Sequence, residues 1–363
     1  MLRSVRIKNF RGFQDLQVAP LERINLMAGR NNVGKTALLE AIFLHLGPTA
    51  PELGTRINQW RGIQQVGAEL SESWGSLFYN LDSDGMIEIG SCDDKNQKRE
   101  LTISLPETGT THFISQQSSE VHLLVPQPIE GTITTGKVKR ELLFSFRNGA
   151  GQTSRTRVQV VSDGSTQSWK IEYERSVETP LGVFIATRLR SPQEDAERYS
   201  KLAEISQDDL VLATLRLLEP RLRRLTVLFK NGMPLIHGDV GLGRLLPLPY
   251  MGEGIARLLA LWLAIATAPQ GIILVDEIEN GFHSSTIKKI WKALSKAARQ
   301  FDAQIFATTH NWECIKAAHE AFEEMEPYDF ALHRLDRIGE DIQAVSYDRE
   351  SLAAAIKAEL EVR

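Results

Sequence analysis

The chain opens on alternation. Leu2, Val5 and Ile7 are interleaved with Arg3, Arg6 and Lys8, the period-two pattern of a strand with one buried face. Arg23-Ile24-Asn25-Leu26-Met27-Ala28 predicts a short buried strand. Ala37-Leu38-Leu39-Glu40-Ala41-Ile42-Phe43 predicts an apolar-faced helix, ended by Gly47-Pro48. Residues 48–80 show no clear period. Across 86–187 alternation returns: Ile87, Ile89, Leu101, Ile103 and Leu105, then Val158, Val160, Trp169, Ile171 and Tyr173, with Gly, Ser, Thr and Asp clusters between segments. That pattern predicts antiparallel hairpins. Helical spacing covers 191–218, with Ser191-Pro192-Gln193-Glu194 and Gln207-Asp208-Asp209 as helix starts and Glu219-Pro220 as the stop. Residues 221–237 predict a hairpin around Asn231-Gly232. A long helix from Ile255 follows, then a buried strand, a helix and another strand. No repeat, coiled-coil heptad run or low-complexity linker interrupts this order.

Composition narrows the class. The chain has 363 residues, 42% hydrophobic and 24% charged, an ordinary globular balance with room for one to three domains. The most apolar stretch, 258–268, is too short to cross a bilayer and reads as a core helix. Cys92 and Cys314 lie far apart, with no disulfide framework or zinc knuckle, so a reducing cytoplasm is expected. The alternating N-terminus is not a signal peptide, and no membrane association is expected. Net charge is −4, so the molecule as a whole does not attract polyanions. Any DNA contact would need a local basic patch, for which Lys137, Lys139 and Arg140, Arg188 and Arg190, or Arg221, Arg223 and Arg224 are the candidates.

The chemistry starts at 29–36. Gly29-Arg30-Asn31-Asn32-Val33-Gly34-Lys35-Thr36 is an uninterrupted G-x-x-x-x-G-K-[ST] phosphate loop, with Ala37 continuing into the helix. The glycines let backbone N–H groups turn toward phosphates, Lys35 reaches the β- and γ-phosphates, and the Thr36 hydroxyl ligates Mg²⁺. Strand before and helix after supply the context the motif needs. Downstream, Gly271-Ile272-Ile273-Leu274-Val275-Asp276-Glu277 is an apolar run ending in two carboxylates. Four apolar residues in a row fit a strand covered on both faces of a parallel sheet, whose carboxyl end is the ligand edge. Asp276 is the expected second Mg²⁺ ligand and Glu277 the group that orients and deprotonates the attacking water. His310 closes the next strand, Gln304-Ile305-Phe306-Ala307-Thr308-Thr309, and is placed to sense the γ-phosphate. Met251-Gly252-Glu253-Gly254 precedes the helix from Ile255, and Gly252, Glu253 and Gly254 form a candidate backbone anion site.

Together these segments resemble the ABC-type ATPase head shared by SMC, RecF and OLD-family proteins. Ile7-Lys8-Asn9-Phe10-Arg11-Gly12-Phe13, Asn31-Asn32, Asp276-Glu277-Ile278-Glu279-Asn280-Gly281-Phe282-His283 and Thr308-Thr309-His310-Asn311 carry the likeness. The resemblance is specific at both ends and weak from about 48 to 245. It implies an α/β P-loop NTPase fold with a mixed or parallel sheet, an antiparallel β subdomain and a helical lobe. Within one composite domain, 1–190 would form the phosphate-loop lobe with its β-rich insertion. Residues 191–250 would form a helical lobe and hairpin, and 251–363 the signature and Asp-Glu part. It also implies ATP and Mg²⁺ as ligands and a head-to-tail dimer, in which Gly252–Gly254 of one copy meets the γ-phosphate held by the other. Three departures stand out. The usual signature carries a serine before two glycines; here Glu253 lies between Gly252 and Gly254, so it is expected to point aside or the contact across the dimer to be altered. The family's glutamine loop has three candidates, Gln59, Gln64 and Gln65. OLD nucleases carry a C-terminal Toprim domain, and the 53 residues after His310 are too few for one. Glu320, Glu323, Glu324, Asp336 and Asp341 read as surface acids. The reading that follows is an OLD-like ATPase that regulates a separately encoded nuclease or toxin, as in two-gene anti-phage systems. The rival is a RecF- or SMC-like ATP-gated DNA-binding protein in repair. A transporter nucleotide-binding subunit fits poorly with the long β-rich interval.

Overall fold

The computed structural model describes residues 1–63, 70–107, 140–163, 166–174, 177–187 and 191–360. Lys137, Lys139, Arg188, Arg190, Gln64 and Gln65 lie outside the described residues. In chain order the first elements are β1 (Leu2–Phe10), β2 (Phe13–Val18), β3 (Ile24–Ala28), α1 (Lys35–Leu46), α2 (Glu52–Trp60) and α3 (Leu70–Trp74). Next come β4 (Met86–Asp93), β5 (Lys98–Ser104), β6 (Glu141–Arg147), β7 (Thr153–Asp163), β8 (Thr166–Tyr173) and β9 (Gly182–Ile185). They are followed by α4 (Pro192–Glu204), α5 (Asp208–Leu215), β10 (Arg224–Lys230), β11 (Met233–Asp239) and β12 (Leu246–Pro247). The chain continues through α6 (Glu253–Ala266), β13 (Ile272–Val275), α7 (Ser284–Gln300), β14 (Gln304–Thr308) and α8 (Trp312–Glu323). It closes with β15 (Phe330–Ile338), β16 (Asp341–Tyr347) and α9 (Arg349–Lys357).

The central sheet runs β16-β15-β3-β14-β13-β9. Its strands from β15 to β9 are parallel, and β16 returns antiparallel along β15. In β3, β13 and β14 every residue is buried. Successive side chains of a strand point to opposite faces, and here they feed two cores. Ile24, Leu26, Ala28, Ile273, Val275, Ile305 and Ala307 pack with α6, α7 and α8. Met27, Ile272, Leu274 and Phe306 pack with α1 and a second sheet. That second sheet is antiparallel throughout, in the order β2-β1-β4-β5-β6-β7-β8. It supplies Val5, Ile7, Ile87, Ile89, Leu101, Ile103 and Phe144 to the same core.

Helix α1 is therefore sandwiched. The sequence predicts one apolar face, but all residues from Ala37 to Leu46 are buried, because a sheet covers each side. Its polar residues need partners. The Glu40 carboxylate takes Arg11 Nε at 2.7 Å and Arg61 Nε at 2.7 Å. His45 Nε2 lies 2.8 Å from Ser91 Oγ. Burial pulls the Arg11 guanidinium down to about 10 despite Glu40.

The helical region 191–218 divides into α4 and α5. Ser206 takes a left-handed φ of 54°, and Asp208 and Asp209 begin the second helix, where acids favour the N-terminal dipole. The expected hairpin forms as β10 and β11 around Asn231 and Gly232, with φ of 52° and 77°, as a tight primed turn requires. Among the described residues no helix is long and apolar enough to cross a membrane.

Candidate nucleotide site

Strands β3, β14 and β13 are neighbours and parallel, so their carboxyl ends open on one edge of the sheet. From β3 comes the loop 29–36, from β13 Asp276-Glu277, and from β14 Thr309-His310. Residues far apart in sequence meet there because the strand order interleaves them.

The loop depends on two glycines. Gly29 has φ 137°, and a Cβ there would lie 2.5 Å from the Leu335 carbonyl oxygen. Gly34 has φ 97° and caps α1, and a Cβ there would meet the Phe13 ring at 2.7 Å. Val33 is buried as the loop's anchor, whereas Arg30, Asn31 and Asn32 are exposed. The first-turn amides of a helix have no intrahelical acceptor, so α1 presents them at the loop. Lys35 Nζ donates to the carbonyls of Gly29 at 2.7 Å and Arg30 at 2.9 Å. Burial lowers the Lys35 ammonium from its ordinary value, opposed by the carboxylates of Asp276, Glu277 and Glu279.

Thr36 Oγ1 donates to Asp276 Oδ1 at 3.0 Å. Two ligands at right angles around Mg²⁺, each at ~2.1 Å, lie about 3 Å apart. A hydroxyl and a carboxylate oxygen at this separation therefore fit adjacent positions on that cation. Asp276 is further held by Thr308 Oγ1 at 2.7 Å and Thr187 Oγ1 at 3.3 Å.

Glu277 has φ 49°, unusual for a residue with a side chain and a form of strain that clusters at functional sites. Three neighbours hold it. Its N–H donates to Thr308 Oγ1 at 2.7 Å. The fully buried Arg257 of α6 donates through Nη2 to the carbonyls of both Asp276 and Glu277 at 2.7 Å. Asn280 Nδ2 donates to Glu277 Oε2 at 2.7 Å. His310 Nδ1 stands 3.9 Å from Glu277 Oε1 and 3.4 Å from Glu279 Oε1.

Lys35, Thr36, Asp276, Glu277 and His310 thus share one site. Gly252, Glu253 and Gly254 open α6 and pack on the turn after Glu277: a Cβ on Gly254 would lie 2.5 Å from the Gly281 carbonyl oxygen. Gly252 and Glu253 are exposed, and Glu253 Cγ flanks Gly281. Gln59 is exposed near the end of α2. Sequence reasoning did not single out Arg257, Thr187, Asn280 or the role of Thr308. A Thr pair closing a buried strand was the available signal for Thr308. A lone Arg inside the apolar helix was the available signal for Arg257.

A parallel sheet whose loop-bearing strand and acid-ending strand meet at one edge defines a P-loop NTPase of the ABC-head type. The same fold is seen in the crystal structure of an SmcHead bound to the C-winged helix domain of ScpA. That chain is 12% identical, with a TM-score of 0.52 over 98% of this chain and 99% of that one. Residues 24–313 match the family described as "AAA domain, putative AbiEii toxin, Type IV TA system", and the chain belongs to that family. An "ATP/GTP phosphatase" of Helicobacter pylori is 23% identical over 339 residues, 90% of each chain. An uncharacterized protein of Methanocaldococcus jannaschii is 46% identical over 46 residues, 13% of this chain and 21% of that one. Family and relative together support nucleotide hydrolysis.

Proposed function

We propose that this chain hydrolyses ATP with Mg²⁺, closes on a second copy of itself when ATP is bound, and through that cycle governs a separate effector. The observation that carries the reading is the 3.0 Å contact between Thr36 and Asp276, 240 residues apart, with Glu277 and His310 on the same edge. The phosphate chain would lie along the amides of 34–36, and Lys35 would exchange its Gly29 and Arg30 carbonyls for phosphate oxygens. Thr36 and Asp276 would hold Mg²⁺, which supplies charge neutralisation on the β- and γ-oxygens. Asn280 ties down Oε2 of Glu277 and leaves Oε1 to orient and deprotonate water. His310 would contact the γ-phosphate. Protein chemistry here is placement and charge, as phosphoryl transfer requires.

Exposed Gly252 and Glu253 at the start of α6 support the dimer reading, since a second copy can reach them. The family's toxin-system description supports a defence role with a nuclease or toxin effector, and the ScpA-bound head shows this fold carrying a partner in that protein. The test is Glu277→Gln. Turnover should fall ~10²–10⁴-fold, the range for loss of a general base, while ATP converts the protein to a stable dimer by light scattering. Wild-type turnover in that variant would sink the assignment.

The likeness to an SMC head favours a second reading, ATP-gated DNA binding. Of the basic candidates, Arg140 pairs with Asp84, Arg221 with Glu219 and Arg224 with Asp239. Such pairing weakens a phosphate-binding field. ATP-dependent, salt-sensitive DNA affinity lost on replacing Arg221, Arg223 and Arg224 would favour it.

A further inference from the structure

Glu279 has no part in the steps above, yet it lies in the floor of the site with 8% of its surface exposed. A buried carboxylate is costly unless its oxygens are engaged. Its Oε1 is engaged on one side only, by the segment that carries His310. Thr309 Oγ1 donates to it at 2.7 Å and the His310 backbone N–H at 3.1 Å. The His310 ring then brings Nδ1 to 3.4 Å of the same oxygen.

Thr309 has its polarity fixed, because its oxygen accepts the Asn311 N–H at 3.0 Å and its single proton must go to Glu279. Asn311 in turn caps α8 by accepting the Glu313 N–H. Oε1 is thus pinned to the backbone of 309–311, and its distance to Nδ1 depends only on the side-chain torsions of His310. Glu277 is the weaker claimant on that nitrogen: it is farther, and its other oxygen is drawn to Asn280.

We propose that Glu279 is a positioning residue for His310: its carboxylate takes the Nδ1–H, selects that tautomer, and leaves Nε2 as the nitrogen offered to the nucleotide. A carboxylate behind an imidazole commonly fixes ring orientation and tautomer in this way. At 3.4 Å the contact lies just beyond the usual hydrogen-bond range, so a small rotation of the His310 ring closes it without any ligand. Oε2 of Glu279 has no hydrogen-bond partner among the described residues. In Glu279→Gln the amide oxygen should therefore settle at the Oε1 position, where the donors are, with the NH₂ replacing Oε2.

The consequence for turnover rests on the ATPase reading above, whereas the tautomer does not. ¹⁵N NMR of the full chain, labelled in its eight histidines and recorded without nucleotide at alkaline pH, reads the tautomer directly. His310→Gln assigns the resonance. Wild type should show Nδ1 protonated, Glu279→Gln should retain that state, and Glu279→Ala should revert to Nε2–H. Wild type with Nε2 protonated, or Glu279→Ala still protonated at Nδ1, overturns the proposal, and the wild-type result decides even if the variant does not fold. Glu279→Ala should also lower kcat ~10–100-fold, as outer-shell losses do, with ATP affinity within twofold of wild type and Glu279→Gln between the two. Wild-type kcat in Glu279→Ala would overturn the positioning role. If no form of the protein hydrolyses ATP, the function falls and the tautomer assignment is judged by NMR alone.

Discussion

Thr308→Val changes one atom that two parts of the site share. The Thr308 hydroxyl donates to Asp276 Oδ1 at 2.7 Å and accepts the Glu277 N–H at 2.7 Å, and the residue is fully buried. Valine fills the same volume but makes neither bond, so the swap is not neutral. A hydrogen bond to a charged acceptor contributes about 1.5–3 kcal/mol, and a buried N–H left without an acceptor costs about 1–3 kcal/mol. Because both losses pass through one atom and Arg257 still holds the neighbouring carbonyls, the two should not add in full. We expect a loss of about 3 kcal/mol, read as a thermal midpoint several degrees lower. The site should suffer separately. If Thr36 is given over to Mg²⁺ as proposed, Thr308 would be the closest remaining hydroxyl on Asp276, so its loss should raise the half-saturating Mg²⁺ concentration ~10-fold. Phosphate release at varied Mg²⁺ measures this. Thr308→Ser keeps the hydroxyl and should keep the Mg²⁺ dependence. The reasoning is refuted if Thr308→Val loses less than about 0.5 kcal/mol and its Mg²⁺ titration overlays wild type.

Lys35→Ala should weaken ATP binding ~10²-fold, the worth of a charged hydrogen bond to phosphate. Fluorescent-nucleotide titration checks it, and unchanged affinity would place the triphosphate elsewhere. Gly34→Ala should be deleterious in both stability and binding, from positive φ together with the Phe13 contact, and a neutral result in a melting curve would contradict the geometry. Stability should fall with acid. Burial pushes the imidazole of His45 down to about 3 and that of His333 down to about 4, while the unfolded chain takes up protons near 6.5. The unfolded state therefore binds more protons below 6.5, so the contribution is complete above that pH and is lost between 6.5 and about 4 for His333, or about 3 for His45. At pH 5 each should have cost about 2 kcal/mol. Urea unfolding of His333→Gln should show a shallower decline over pH 7 to 5, and an equal slope would exclude that origin.

Local features of this protein were legible in the residues alone. The loop 29–36 is contiguous, and its glycines answer a backbone need that travels with the sequence. The Asn231-Gly232 hairpin and the short buried strands are likewise written in neighbouring side chains. So was the order of the acid-ending strand and His310, which suggested one site. What only the tertiary structure decided is which atoms meet. Alternation assigns a residue to a face but not a strand to a neighbour. The placement of β14 between β3 and β13 is what lets Thr308 bridge Asp276 and Glu277. Arg257, a lone charge within an apolar helix, is accounted for only by the packing of α6 beneath the Asp-Glu turn. The full burial of α1, with Glu40 between Arg11 and Arg61, likewise follows from the second sheet closing over it. Burial on both sides and long-range hydrogen bonds depend on how sheets stack, and that is a property of the assembled chain.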